Sequence, residues 1–328
     1  MKYKSLISIV VPVFNEEQVV IETYRRLTEV FDSIDVMFEI VFVNDGSTDN
    51  SVQILSGICK KDSRIKMVNL SRNFGQMASI SAGIEYSRGD AVVIIDADLQ
   101  DPPEVISKMI EKWQEGYDVV YGKRIKRNDE TLFKKAASKL FFRVLKRLTD
   151  IEVPIDSGDF RLIDRKVCDC LLKLPERNRF MRGLISWVGF KQYGLEYVRE
   201  GRFAGKTKYS VAKLTNLAVS GFTSMTYKPM RISLYTGLLS LALCFIAMVF
   251  YIVSSLIKHT DISFSGMLLM CNLLIGSFIL IAMGLNGEYL GKVYDESKGR
   301  PLYIVRDTLG IETENNIAKT KILGGEAK

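Results

Sequence analysis

Two runs of 26 residues without a charged side chain, Ile232–Ile257 and Ile262–Gly287, restrict this 328-residue chain more than any other feature. As helices rising 1.5 Å per residue, each is about 39 Å long, against a hydrocarbon core of about 30 Å. Only Lys258, His259, Thr260 and Asp261 separate them, so the pair reads as a transmembrane helical hairpin. Lys228 and Arg231 precede it, and Lys292, Lys298 and Arg300 follow it. Positive charge beside both ends places them on the cytoplasmic side. A hairpin buried inside a soluble core is the competing reading, and it fits this length poorly.

Two further stretches bear on the membrane. Leu214–Tyr227 is apolar with hydroxyls and aromatics, the pattern of a helix lying in the interface. Thr131–Leu148 sets Phe133, Phe141 and Val144 among Lys134, Lys135 and Arg143. It reads either as a surface helix packed on a core or as a helix on anionic headgroups.

The first 120 residues alternate strand-like and helix-like segments. Leu6–Val13, Phe38–Val43, Ile65–Leu70, Ala91–Ile95 and Asp118–Tyr121 are apolar runs of strand length. Between them Glu16–Phe31, a segment capped by Thr48 or Asp49 and running to Lys61, Gln76–Ser87, and a segment with Pro103 in its first turn read as helices. Repeated βα units predict an α/β fold with a mostly parallel, doubly wound sheet. Right-handed crossovers bring the C-terminal strand ends to one rim, with Asn15, Asp45, Arg72 and Asp96 on it.

Composition narrows the chemistry. A single histidine, His259, lies far from every polar motif, so zinc sites and histidine catalysis are not expected. Five cysteines include no C-x-x-C pair, which suits a reducing cytosol. The net charge of +7 fits a membrane surface, nucleic acid or an anionic substrate. Met1–Val13 begins like a signal peptide but contains Pro12 and runs into Asn15-Glu16-Glu17, so it reads as a buried strand.

The rim motifs suggest a metal-bound diphosphate. Val92–Ile95 runs into Asp96 and Asp98, two hard oxygen ligands suited to Mg²⁺ or Mn²⁺; a strand end turning into a polar loop is the plainer reading. Asp45 stands where acidic residues of dinucleotide folds meet a ribose. Pro12 and Asn15 either shape a nucleobase pocket or serve only a turn. No glycine-rich phosphate loop is present, so the phosphates fall to the metal and to Arg72, Arg124 and Arg202.

In order along the chain, VPVFNEE, VNDGSTD, SRNFGQMASISAGI, IIDADLQDPPE, SGDFRLIDR, GKTKYS and GEYLGKVYDE resemble the motifs of family 2 glycosyltransferases acting on polyprenyl phosphate. Within these dolichol-phosphate-mannose-synthase-like enzymes, the bactoprenol glucosyltransferase branch is nearest. The resemblance spans about residues 5–305. It implies a GT-A fold, with Asp45 holding the nucleoside and Pro12, Asn15 and Glu17 lining its pocket. It further implies Asp98 as metal ligand assisted by Asp96, and Gln100 near the sugar or acceptor phosphate. Arg124 and Arg202, with Lys208 and Tyr209 on a loop, would clamp phosphates, and Asp159 stands where the family places its candidate base. An acceptor phosphate is already largely ionised at neutral pH, so Asp159 is expected to orient the acceptor site or Arg161. Asn44 replaces the first of two aspartates found in many relatives, and a Q-x-x-R-W sequence, the mark of processive synthases, is missing.

The expected organisation is a cytoplasmic catalytic domain over 1–210, an interfacial helix over 211–231, the hairpin over 232–287 and a cytoplasmic tail over 288–328, polar beyond Ile311. The expected reaction is inverting transfer from UDP-glucose to undecaprenyl phosphate at the cell membrane, with UDP-N-acetylglucosamine or GDP-mannose as alternative donors. A non-catalytic scaffold is the alternative class; a transport component would need more spans or more intramembrane polar groups than Asn272 and Asn286. No nucleic-acid partner is expected. Gly287-x-x-x-Gly291 hints at a homo-oligomer, and moving the product across the membrane falls to a separate flippase.

Overall fold

The computed structural model describes residues 4–125, 157–177, 179–201, 235–243, 245–247, 249–250, 253 and 264–311. These divide between two compact units, the first taking in the described residues up to Gly201 and from Pro301 onward, the second those between Tyr235 and Arg300.

The first unit is built on an eight-stranded sheet. In chain order its elements are β1 (Leu6–Val13), α1 (Val20–Asp32), β2 (Met37–Asn44), α2 (Ser51–Cys59), β3 (Ile65–Leu70), α3 (Gln76–Tyr86), β4 (Ala91–Ile94), α4 (Val105–Gln114), β5 (Val119–Arg124), β6 (Ser157–Asp164), α5 (Arg165–Lys173), α6 (Met181–Trp187), β7 (Gln192–Tyr197) and β8 (Val305–Leu309). The strand order is β7-β5-β6-β4-β1-β2-β3-β8. β1 pairs in parallel with β2 and β4, β2 with β3, and β5 with β7. β6 runs antiparallel between β4 and β5, and β8 runs antiparallel on β3. The C-terminal ends of β1–β5 and β7 therefore share a rim with the N-terminal end of β6.

Helices cover both faces, which is why the central strands are apolar at nearly every position. Ile7, Ile9, Val11 and Val13 pack in one core with Leu27 and Phe31 of α1, Leu55 of α2 and Ile106 of α4. On the other face α3 lies so close to β1 that a Cβ at Gly83 would come within 2.2 Å of Val10 Cγ1. A side chain there would push the helix off the sheet.

Several boundaries differ from expectation for local reasons. α1 starts at Val20 instead of Glu16, because Glu16 and Glu17 donate their amides to Ser51 Oγ (3.0 Å) and Asp49 Oδ2 (3.1 Å). Neither Thr48 nor Asp49 is the cap of α2; Asn50 is, and Asp49 Oδ1 instead accepts from Ser51 N at 3.0 Å. The antiparallel β6, and the edge strand β8 within the expected tail, complete a sheet larger than the βα pattern alone describes.

Away from the rim, a charge is buried between β1, β2 and β3. Glu39 accepts from Ser8 Oγ at 2.6 Å and Arg88 N at 2.7 Å, and pairs with Lys66 Nζ. Burial pushes its carboxyl up, but these partners outweigh it and hold the group below its ordinary range. A depressed folded pKa contributes stability above the unfolded value, lost as pH falls through the folded one. Glu39→Gln is therefore expected to cost about 3 kcal/mol at pH 7. Thermal melts should show that gap closing below about pH 4.3, where the unfolded glutamate of the parent takes up its proton.

The second unit holds α7 (Tyr235–Ala247) and α8 (Phe264–Ser297). α8 is 34 residues long and continues past Gly287, the end of the uncharged run. Among the described residues one helical segment, Leu274–Ser297, is long and apolar enough to cross a membrane, so the two-span hairpin rests on the sequence pattern. Thr236, Ser240 and Leu241 of α7 and Ile275, Phe278 and Ala282 of α8 line one cavity of about 310 Å³. Leu241, Phe245, Phe250, Leu280 and Met283 are exposed on this unit. Thr131–Leu148, Leu214–Tyr227, the turn Lys258–Asp261, and Arg202, Lys208 and Tyr209 lie outside the described residues.

Candidate active site

The rim gathers two clusters. Where β1 and β2 end, two turns interlock. Asn15, in the left-handed region at φ 55°, donates its amide to Ser47 Oγ at 3.0 Å and accepts from Thr48 N at 2.8 Å. Glu17 Oε2 accepts from Asn50 N and Nδ2, both at 2.9 Å. Pro12 sits one register step before this junction, opposite Val43. Asp45 is buried, and its oxygens accept from Phe74 N at 2.7 Å and Gly75 N at 3.0 Å. Burial outweighs these amides and raises its carboxyl above the ordinary range. Gly46, at φ 70°, lets the two loops meet, since a Cβ there would lie 2.6 Å from Arg72 C. Arg72 is exposed, its guanidinium 4.2 Å from the Phe74 ring centre.

The second cluster forms where β4, β5, β6 and β7 meet. The loop after β4 is pinned by Thr23 Oγ1, which donates to Ala97 O at 2.8 Å, and by Leu99 in the left-handed region at φ 56°. Asp96 Oδ1 accepts from Gln76 Nε2 at 2.8 Å, and Asp98 Oδ1 accepts from Gln100 N at 3.2 Å. Gln100 O accepts from Glu200 N at 2.9 Å. Asp101 is buried and accepts from Tyr197 Oη, with Arg124 Nη2 at 3.6 Å and Arg199 Nε at 3.5 Å. Arg124 Nε also donates to Tyr197 Oη at 3.2 Å.

Asp159, at the start of β6, is gripped in a fork by Arg182, Nε to Oδ1 at 2.9 Å and Nη2 to Oδ2 at 3.2 Å. Its direct partner is thus Arg182, while Arg161, expected along with the acceptor site as what Asp159 orients, acts on it through space. Arg161 is buried in β6 opposite Ile94, donates to Gly158 O at 2.7 Å, and leaves Nε without a hydrogen bond. Burial brings its guanidinium down to about 10.

The electrostatics of the carboxylates differ sharply. Burial, then Asp159, Asp98 and Asp101, push Asp96 up to about 7. Burial also opposes the charge of Asp159, but Arg182, Arg161 and Arg124 win and hold it below the ordinary range. The surroundings of Asp96 thus disfavour its charged form, burial and three carboxylates outweighing Arg199. A carboxylate in such surroundings, two positions before Asp98 in D-x-D, suits a hard divalent cation completed by donor oxygens from a ligand and water. Among the described residues no group of three or more histidine, cysteine or acidic ligands forms a closed metal cage.

Of the residues expected from sequence, Asp96, Asp98, Gln100, Arg124 and Asp159 belong to the second cluster, and Pro12, Asn15, Glu17, Asp45 and Arg72 to the first. Sequence reasoning did not single out Gln76, Asp101, Arg182, Tyr197 and Arg199. Of these, Gln76 and Asp101 lie inside the quoted SRNFGQMASISAGI and IIDADLQDPPE stretches, the only signal the sequence offered for them.

Residues 8–172 match the family described as glycosyl transferase family 2. An uncharacterized glycosyltransferase of Bacillus subtilis (strain 168), YkcC, is 51% identical over 309 residues, covering 94% of this chain and 95% of its own. The bactoprenol glucosyl transferase of Shigella phage SfV is 39% identical over 301 residues, covering 92% and 98%. A prophage bactoprenol glucosyl transferase homolog of Escherichia coli (strain K12) is 39% identical over 300 residues, with 92% and 98% covered. The chain belongs to glycosyl transferase family 2.

Proposed function

We propose that this family 2 glycosyltransferase moves a hexose from a nucleotide-sugar, UDP-glucose first, to the phosphate of undecaprenyl phosphate, with inversion at the anomeric carbon. The observation that carries the reading is the rim itself, where Asp96 and Asp98 share one cluster with Arg124, Arg182 and Arg199. Such a site suits a leaving diphosphate and an anionic acceptor together. The phage and prophage relatives called bactoprenol glucosyl transferases support the lipid acceptor.

Asp45 and the interlocked turns carrying Pro12, Asn15 and Glu17 would receive the nucleoside, a hydroxyl donor offsetting the burial of Asp45. Arg72, Arg124, Arg202, Lys208 and Tyr209 would hold phosphates. Asp98, with Asp96, would hold Mg²⁺ or Mn²⁺, which when bound neutralises charge on the departing diphosphate. Gln100 would approach the sugar or the acceptor phosphate. The acceptor's second pKa is about 6, so the nucleophile needs no proton removed at neutral pH. Asp159, ionised and forked to Arg182, keeps that arginine aimed into the site.

The apolar helices would tether the catalytic unit at the cytoplasmic face of the cell membrane as a two-span hairpin, raising the effective concentration of the lipid. Homo-oligomerisation through Gly287 and Gly291 and a separate flippase belong to the same reading.

Membranes containing the protein, supplied with radiolabelled UDP-glucose, UDP-N-acetylglucosamine or GDP-mannose, should pass label from UDP-glucose into the lipid fraction. Chelation should cut incorporation at least about tenfold, with Mn²⁺ or Mg²⁺ restoring it. Label from another sugar would correct the donor; no transfer from any of the three would end the enzymatic reading.

A further inference from the structure

The strand that follows the second unit carries an acidic side chain the proposed chemistry does not use. In β8, Asp307 lies opposite Asn69 of β3. Asn69 is buried, donates from Nδ2 to Asp307 Oδ1 at 2.5 Å, and accepts at Oδ1 from Asn44 Nδ2 at 3.0 Å. Asn44, buried at the end of β2, accepts at Oδ1 from Ser47 N at 3.0 Å. Ser47 Oγ in turn accepts from Asn15 N at 3.0 Å. Four hydrogen bonds thus connect the β1 turn to β8, each donor pointing toward Asp307.

The sense of this chain is not arbitrary. A carboxylate only accepts and a backbone N–H only donates, and each amide between them has one accepting and one donating end. One orientation of Asn44 and Asn69 satisfies all four bonds. Either amide turned over would leave buried donors facing each other. β8 is itself held in place, with Ser71 N donating to Ile304 O at 2.9 Å, Tyr303 Oη to Glu85, and Arg177 Nη2 to Pro301 O at 3.2 Å.

We propose that Asp307 is a positioning residue for the nucleotide-sugar site: through Asn69 and Asn44 it fixes the turn that holds Asn15 and Asp45 in the form that receives the nucleoside. The strand after the membrane helix is then a working part of the donor site. This rests on the nucleotide-sugar reading above.

The test uses the full-length protein in membranes, with undecaprenyl phosphate fixed and whichever of the three nucleotide-sugars the parent turns over. Asp307→Leu is expected to raise the donor KM about tenfold with kcat within about twofold, the mark of lost uniform binding. Asp307→Asn, which keeps an accepting oxygen for Asn69, should return KM to within about twofold of the parent. Leu309→Ala removes a partly buried contact from the same strand but none of the four hydrogen bonds, so Tm should fall and donor KM hold. An unchanged KM in Asp307→Leu overturns the proposal, as does an equal rise in Leu309→Ala or in Asp307→Asn. A parent that turns over none of the three overturns the donor reading, and this inference with it, before any substitution is compared.

Discussion

Asp98→Asn is expected to lower sugar transfer at least about a thousandfold while the protein folds and enters membranes as before. The fold does not need the charge. Asp98 sits on a loop placed by Thr23 on Ala97 O and by the left-handed Leu99, and its Oδ1 accepts from Gln100 N, which an asparagine oxygen also does. What the substitution removes, on the proposed function, is a carboxylate that would hold the cation, beside a second one raised to about 7 by burial and its acidic neighbours. With Asp98 neutral, little remains to hold a divalent cation against water. Asp96→Asn should be milder, about 10–100-fold, because its oxygen still serves Gln76 Nε2 and Asp98 keeps its charge. Radiolabel transfer, a thermal melt and nucleotide titration with and without Mn²⁺ check all three statements. An Asp98→Asn protein keeping a tenth of the parent rate would remove Asp98 from the chemistry.

The order of effects follows from what was legible in the sequence. β1, β2 and β4 are apolar runs, broken only by Ser8 and Glu39 before their last residues and closed by Asn15, Asp45 and Asp96, so both the parallel core and its acidic rim could be read locally. β6 could not, because SGDFRLID places Asp159 and Arg161 in an interior strand, where charge argues against burial. The carboxylate of Asp159 is held chiefly by Arg182, 23 residues away on α6, and no local pattern announces that partner. The same holds for Asp101 and Tyr197, separated by 96 residues. β8 is five residues long, and its partner β3 lies on the far side of the apolar helices in sequence. Motif spacing located the carboxylates; only the packing revealed which basic side chains each one faces. Asp159 is the case where that distinction changes the chemistry assigned.

Asp159→Asn is expected to lower kcat about a hundredfold without altering the shape of the pH–rate profile. A general base would have to be within reach of taking a proton near neutrality, whereas Arg182, Arg161 and Arg124 hold this carboxyl below its ordinary range despite burial. It stays ionised across the working pH and is too weak a base to draw a proton efficiently. The limb that matters belongs to the acceptor phosphate, whose second ionisation at about 6 should make the rate fall as pH drops through that value in parent and variant alike. Losing Asp159 frees the Arg182 fork, so the damage is to aim. Arg182→Met should do comparable harm to kcat and also cost about 3 kcal/mol of stability, since it strands a buried carboxylate. Because the two side chains act as one unit, the double variant should be no slower than the worse single one. Rates for the four proteins between pH 5.5 and 9 decide the matter. Recovery of Asp159→Asn as pH rises, in proportion to hydroxide, would mean that the carboxylate does remove a proton and that the fork with Arg182 opens during turnover.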